Sequence, residues 1–164
     1  MKQQNQKLTH VKHEFDPIFD ENSEILILGT LPSVKSREQG FYYGHPQNRF
    51  WKVLAAIVQE KIPDSIEEKK EMLLRNHIAV YDVIWQCKIT GSSDSSIKDV
   101  VPADITTIVE LSKIRKIYAN GKLAEKLFSK YQEKKVGIKA IGQTGIQKME
   151  HIGYMLKQEH RMGL

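Results

Sequence analysis

The segment Glu24-Ile25-Leu26-Ile27-Leu28-Gly29 constrains this chain more than any other. Consecutive branched aliphatic residues, closed by Gly29 and Pro32, leave no face for water, which marks a strand covered on both sides. Such strands belong to parallel sheets flanked by helices. The rest of the chain repeats the alternation this requires. Phe50, Trp51, Leu54, Ile57 and Val58 fall at helical spacing within 48–60, and Ser65-Ile66-Glu67-Glu68 is a capping box that opens a helix to about Asn76. Residues 78–83 read as the next strand, about 103–112 as a helix, and 114–119 as a strand ending in Asn120-Gly121. Leu123, Ala124, Leu127, Phe128 and Tyr131 share a helical face, 136–141 is a last strand, and Ile146, Met149, Gly153 and Leu156 mark a closing helix. The expected fold is α/β, a three-layer α/β/α sandwich with a mostly parallel sheet of about four strands. Residues 1–164 are expected to form one domain, with 1–23 an irregular lead-in docked through Val11, Phe15, Ile18 and Phe19.

Composition removes several classes. No apolar run approaches the roughly 20 residues of a membrane span, and the polar N-terminal residues contain no signal core. Cys87 is the only cysteine, so no intramolecular disulfide or thiolate cluster forms, and no cluster of His, Cys and carboxylates has ligand spacing. A cytoplasmic monomer without metal or cofactor is expected. Lys and Arg number 25 against 20 Asp and Glu, and the net +5 is dispersed, which permits a phosphate-rich partner without requiring one.

The topology locates function before any motif does, because ligands of open parallel sheets bind beyond the carboxyl ends of the strands. Residues 29–44, 85–102, 120–122 and 142–145 fall there. The first two stretches are 16 and 18 residues long, against about 2–6 for ordinary βα loops. In the first, Ser33, Lys35, Ser36 and Arg37 can cradle a phosphate, or form a plain turn with a solvated charge run. Phe41, Tyr42 and Tyr43 cannot all face a core from a loop, so at least one should present a flat face to a ligand. Asp94 either contacts that ligand or closes an Asx turn, with Ser95 and Lys98 beside it as candidate phosphate contacts. Asp82 is a further carboxylate at a strand end. Asn120 either presents an amide to the ligand face or caps the following helix.

Leu28-Gly29-Thr30-Leu31-Pro32-Ser33, followed by Phe41-Tyr42-Tyr43-Gly44-His45-Pro46-Gln47-Asn48-Arg49-Phe50-Trp51, resembles the uracil-DNA glycosylase superfamily. The close parallel is its deoxyinosine (hypoxanthine-DNA) glycosylase branch, which 94–102 and Asn120-Gly121-Lys122 also resemble in family order. The resemblance implies base eversion from DNA into a pocket at the strand ends, then hydrolysis of the N-glycosidic bond without metal or cofactor. It implies that Tyr43 stacks on the base and Asn48 holds the same loop; Leu31 and Asp94 are further candidate base contacts on the ligand face. Leu31 falls where many members keep an Asp or Asn to position water, a task no alkyl group performs. In the deoxyinosine branch the asparagine of the Asn-Gly-Lys motif is implicated instead, here Asn120. Ser33, Lys35, Ser95, Lys98 and Lys122 are the expected phosphate contacts. The chain departs from the family after its last strand, where Gln143-Thr144-Gly145 replaces a proline-stiffened loop that engages the minor groove.

The expected partner is therefore double- or single-stranded DNA containing a deaminated base, hypoxanthine first and uracil second. Two other readings of the same residues stand beside this one. One is a nucleic-acid-binding homologue without catalysis, motivated by Leu31 and the altered C-terminal segment. The other is a small-molecule or nucleotide-binding α/β module.

Overall fold

The computed structural model describes residues 7–45, 48–91 and 93–143, with the side chains of Lys35 and Gln143 left aside. Its centre is β2 (Ile25–Gly29), every residue of which is buried. On one side β2 pairs in parallel with β3 (Ile78–Asp82), also buried throughout. On the other it pairs in parallel with β6 (Lys116–Asn120), which is followed by β7 (Ile141–Gln143), giving a four-stranded sheet of order β3-β2-β6-β7. The uninterrupted apolar runs of β2 and β3 follow from this central position, because neither face meets water.

Helices connect and flank these strands. α1 (Val34–Gln39) starts at Ser33, whose hydroxyl caps Ser36 N, and ends at Gly40 in the left-handed region. α2 (Phe50–Val58) buries Phe50, Trp51, Leu54 and Ala55. α3 (Ile66–Arg75) opens at Ser65, which accepts from Glu68 N at 3.1 Å, while Glu68 reaches back to Asp64 N at 2.9 Å. α4 (Ile105–Glu110) and α5 (Lys122–Tyr131) lie on either side of β6 in sequence, and the short α6 (Glu133–Val136) precedes β7. The mixed α/β fold around a four-stranded parallel sheet is the expected one. No helix among the described residues is long and apolar enough to cross a membrane.

Three expectations require correction. Residues 85–102 are not a long loop. They contain β4 (Ile84–Thr90) and β5 (Lys98–Pro102), a hairpin closed by a 3₁₀ turn over Asp94–Ser96. The lead-in is not irregular either: β1 (Leu8–Lys12) pairs antiparallel with β4, completing a second sheet of order β1-β4-β5. β1 buries only Val11 and so carries no hydrophobic alternation, and β4 interleaves Cys87 and Ile89 with polar residues. Finally, the strand expected over 136–141 begins at Ile141, because α6 and Gly137 (φ 78°) occupy its first part. The expected closing helix and the departing segment from Thr144 lie outside the described residues.

The two sheets share one continuous run of chain. β3 ends at Asp82 and β4 begins at Ile84, with Val83 N and Ile84 N donating to Gly29 O and Thr30 O at 2.8 and 3.1 Å. Just beyond β1, His13 N donates to Trp85 O at 2.7 Å. The lead-in then docks through Phe15, whose ring meets Tyr42 edge-on at 4.6 Å, and through Ile18, which bridges Val80. This junction brings His13 to Asp82.

Candidate active site

The tips of β2, β3 and β6 open into a cavity of about 220 Å³. Gly29, Thr30, Leu31, Pro32, Ser33, Ser36, Tyr42, Tyr43, Asn48, Asp82, Asp94 and Asn120 line it. Its position matches the rule for parallel sheets. The volume is below the roughly 300–1,000 Å³ of sites for drug-sized ligands, so it suits one flat heterocycle better than a whole nucleotide.

Phe41 and Tyr42 turn into the core, leaving only Tyr43 half-buried among the three consecutive aromatics. Tyr42 donates to Asp16 O at 2.8 Å, and Trp51 Nε1 donates to Tyr42 O at 3.3 Å. Tyr43 stacks on Phe50 at 3.9 Å between ring centroids, nearly parallel at 13°. Its backbone lies at φ 51°, in the left-handed region that an aromatic residue seldom occupies. Burial and the nearby Asp82 charge push the Tyr43 hydroxyl above the ordinary phenol range, so it stays a neutral phenol at physiological pH.

Asn120, the last residue of β6, donates from Nδ2 to the Tyr43 hydroxyl at 3.2 Å. It does not cap α5. The capping position falls to Gly121 (φ 109°), which provides no side-chain bond, so the alternative reading of Asn120 does not describe this turn. Asn48 Oδ1 accepts from Phe50 N at 2.9 Å and so ties the loop to the start of α2. Asp94 reaches the cavity from the β4–β5 hairpin, and among the described residues its carboxylate makes no Asx-turn bond. Leu31 contributes an apolar wall.

Residues expected at the phosphates divide. Ser33 lines the cavity, but its hydroxyl donates to Ser36 Oγ at 3.1 Å and accepts from Ser36 N. Ser36 Oγ in turn accepts from Gly44 N at 3.0 Å, so these hydroxyls hold the loop together. Ser95, Lys98 and Lys122 are exposed and outside the cavity lining, and Ser95 Oγ bonds Ser93 Oγ at 2.9 Å. The Lys35 side chain and Gln47 lie outside the described residues.

Two groups gain a prominence that their sequence positions did not suggest. Asp82 is 5% exposed, and His13 Nε2 meets its Oδ2 at 2.8 Å. Burial raises the Asp82 carboxyl above its ordinary range, and the hydrogen bond and charge of His13 oppose that rise. Gly29 pairs with Asp82 across the sheet, and a Cβ there would collide with Asp82 Oδ1. Asp82 stood out only as a carboxylate at a strand end. His13 gave no signal, because only the β1–β4 pairing brings it to the sheet.

A profile of the uracil DNA glycosylase superfamily matches residues 17–163. A hypoxanthine DNA glycosylase from Methanosarcina acetivorans is 40% identical over 116 residues, spanning 70% of this chain and 73% of that protein. Its counterpart from Methanosarcina barkeri is 37% identical over 113 residues, spanning 68% and 72%. The solution NMR structure of a candidate uracil DNA glycosylase from M. acetivorans aligns with a TM-score of 0.73 at 28% identity, covering 88% of this chain and 95% of that one. Sequence and fold together place the chain in the uracil DNA glycosylase superfamily, as a hydrolase that acts as a DNA glycosylase.

Proposed function

We propose that this protein excises deaminated bases from DNA, hypoxanthine first and uracil second, leaving an abasic site. The observation that carries this reading is the hydrogen bond from Asn120 to Tyr43 at the edge of a base-sized cavity. Eversion of a base costs a few kcal/mol, least for a mispaired one. Stacking returns about 1–3 kcal/mol per base. Phe50 covers one face of Tyr43, so the opposite face is the one available to the everted base.

Bond cleavage then develops an oxocarbenium-like sugar, which needs an oriented water more than a strong base. With Nδ2 of Asn120 engaged by Tyr43, Oδ1 is the acceptor left to orient that water. The water oxygen attacks the anomeric carbon, the bond to the base nitrogen breaks with its electron pair, and the water's proton is lost to solvent. Leu31 supplies an apolar wall and takes no part in moving protons. The 37–40% identity to two hypoxanthine DNA glycosylases supports hypoxanthine as the first substrate.

The test is incubation with end-labelled duplex and single strands carrying deoxyinosine, deoxyuridine or no lesion, followed by alkali. Scission at deoxyinosine is expected. Absence of scission at every deaminated base, with DNA still bound, would replace this reading with that of a binding homologue.

A further inference from the structure

Lys98 falls outside the cavity, yet it does not stand alone on the surface. It belongs to the second sheet, of order β1-β4-β5. One face of that sheet is covered, since Val11 and its cross-strand partner Cys87 are buried, as is Ile89. Side chains alternate along a strand, so the residues between these stand on the opposite face. There His10 of β1 pairs with Lys88 of β4, and Lys88 pairs in turn with Lys98 of β5. All three are exposed, as is Lys12, two residues after His10 and so on the same face. The three strands carry three lysines and one histidine against a single acid, Asp99.

Structural duties do not account for this row. Like charges directly opposite each other in a sheet are destabilising, and Lys88 stands opposite Lys98. Lysines on edge strands guard against stray pairing, but Lys88 lies on the central strand. Asp99 relieves Lys88 alone, at 3.4 Å, from an irregular stretch of β5 where its own φ is 53°. Among the described residues no carboxylate pairs with Lys98 or Lys12. The Lys12 ammonium lies 4.5 Å from the centre of the Trp85 ring, which holds it near the sheet. The face therefore concentrates positive charge that the protein itself does not neutralise.

Position says which polyanion fits. Three neighbouring strands set the row from His10 to Lys98 at about 10 Å, over which one DNA strand advances about three phosphates. Lys88 and Lys98 are the paired residues next to the turn at Asp94–Ser96, and Asp94 of that turn lines the cavity. A strand whose base enters the cavity passes this turn and meets the row next. We infer that the exposed face of the β1-β4-β5 sheet is a second DNA contact, on which Lys88, Lys98 and Lys12, with His10, hold the phosphodiester backbone beside the everted nucleotide. Phosphate contacts carry no sequence information, so this face binds undamaged and lesion-bearing DNA alike and leaves selection to the cavity. The inference takes only the path of the strand from the base-excision reading.

The measurement is the salt dependence of binding to an undamaged duplex. Lys88→Gln/Lys98→Gln is compared with wild type and with Lys61→Gln/Lys113→Gln, which removes the same charge elsewhere. The control lysines stand at the far end of the parallel sheet. Lys61 follows Glu60, which accepts from Asn76 Nδ2 at 2.6 Å just ahead of β3, and Lys113 precedes β6. Each phosphate contact adds about 0.9 to the slope of log affinity against log salt, so the first pair should flatten it by about 2. The control pair should leave it unchanged. A wild-type slope in Lys88→Gln/Lys98→Gln, or equal flattening in both pairs, overturns the inference. Limited acetylation of the wild type, read by mass spectrometry, is the second measurement and needs no variant. Duplex should protect Lys88 and Lys98 but not Lys61. Equal labelling with and without DNA, as expected of a face for an acidic protein, overturns the inference. A wild type that binds undamaged DNA through these lysines and cleaves at no deaminated base removes the proposed function and leaves this surface standing. A wild type that binds no DNA overturns both.

Discussion

Asn120 Nδ2 donates to the Tyr43 hydroxyl at 3.2 Å, which ties the tip of β6 to the loop that follows α1. The contact joins residues 77 positions apart and constrains both. It fixes which end of the amide faces the tyrosine. It also helps hold Tyr43 at φ 51°, a conformation that costs on the order of 1–3 kcal/mol and persists only where surroundings enforce it. The stack on Phe50 is the other enforcing contact.

Tyr43→Phe separates these duties. The ring and its stack on Phe50 remain, but the acceptor for Asn120 is lost. Single-turnover excision of deoxyinosine should fall about tenfold, the range for a misoriented catalytic group, with DNA affinity nearly unchanged. Tyr43→Ala should lose affinity as well, because the stacking surface goes with the hydroxyl. Equal rates for wild type and Tyr43→Phe would show that Asn120 needs no such anchor.

Gly29→Ala tests the floor of the cavity. The added Cβ would collide with Asp82 Oδ1, whose carboxylate is held from behind by His13. Displacing that pair should cost about 1–3 kcal/mol in urea unfolding and should suppress excision. A variant as stable and active as the wild type would mean that Asp82 moves freely.

Asp82 also predicts a pH dependence of stability. Below the ordinary carboxyl value of 3.8 it is neutral in both folded and unfolded chains, so it contributes nothing there. As pH rises, the unfolded chain releases this proton first, because burial holds the folded carboxyl higher. Stability is lost through that window, and the loss is complete once the folded carboxyl ionises. The stability of Asp82→Asn relative to wild type should therefore increase between about pH 4 and pH 7. Urea midpoints at both pH values measure it, and a difference independent of pH would contradict the assignment.

Ser65→Ala provides a control far from the cavity. It removes the cap on Glu68 N and should cost about 1 kcal/mol of stability. Excision at a temperature well below unfolding should not change. A loss of activity matching that of Tyr43→Phe would show that general destabilisation, and not site geometry, governs the assay.

The parallel sheet was legible because its signal is local: Ile25 to Leu28 and Ile78 to Val80 are apolar throughout and can only be covered strands. The cavity was legible for the same reason, since strand order alone puts Gly29 and Asn120 at one edge. The second sheet was not. β1 buries a single residue, and its partner β4 mixes buried with half-exposed positions, so pairing between them is decided at long range and leaves little periodicity. His13 was hidden with it. The hydroxyls of Ser33 and Ser36 looked available for phosphate because composition cannot show that each already bonds a neighbour. Asn120 fits cap and site equally in the sequence, because only the structure shows that Gly121 takes the capping position before α5.

The central claim is that Asn120 orients the attacking water on a base held against Tyr43. Single-turnover excision of deoxyinosine from a labelled duplex by wild type and Asn120→Ala, with DNA binding measured on the same samples, tests it most directly. Loss of about 10²-fold or more in rate at unchanged DNA affinity is the predicted result. An Asn120→Ala protein that cleaves at the wild-type rate would contradict it.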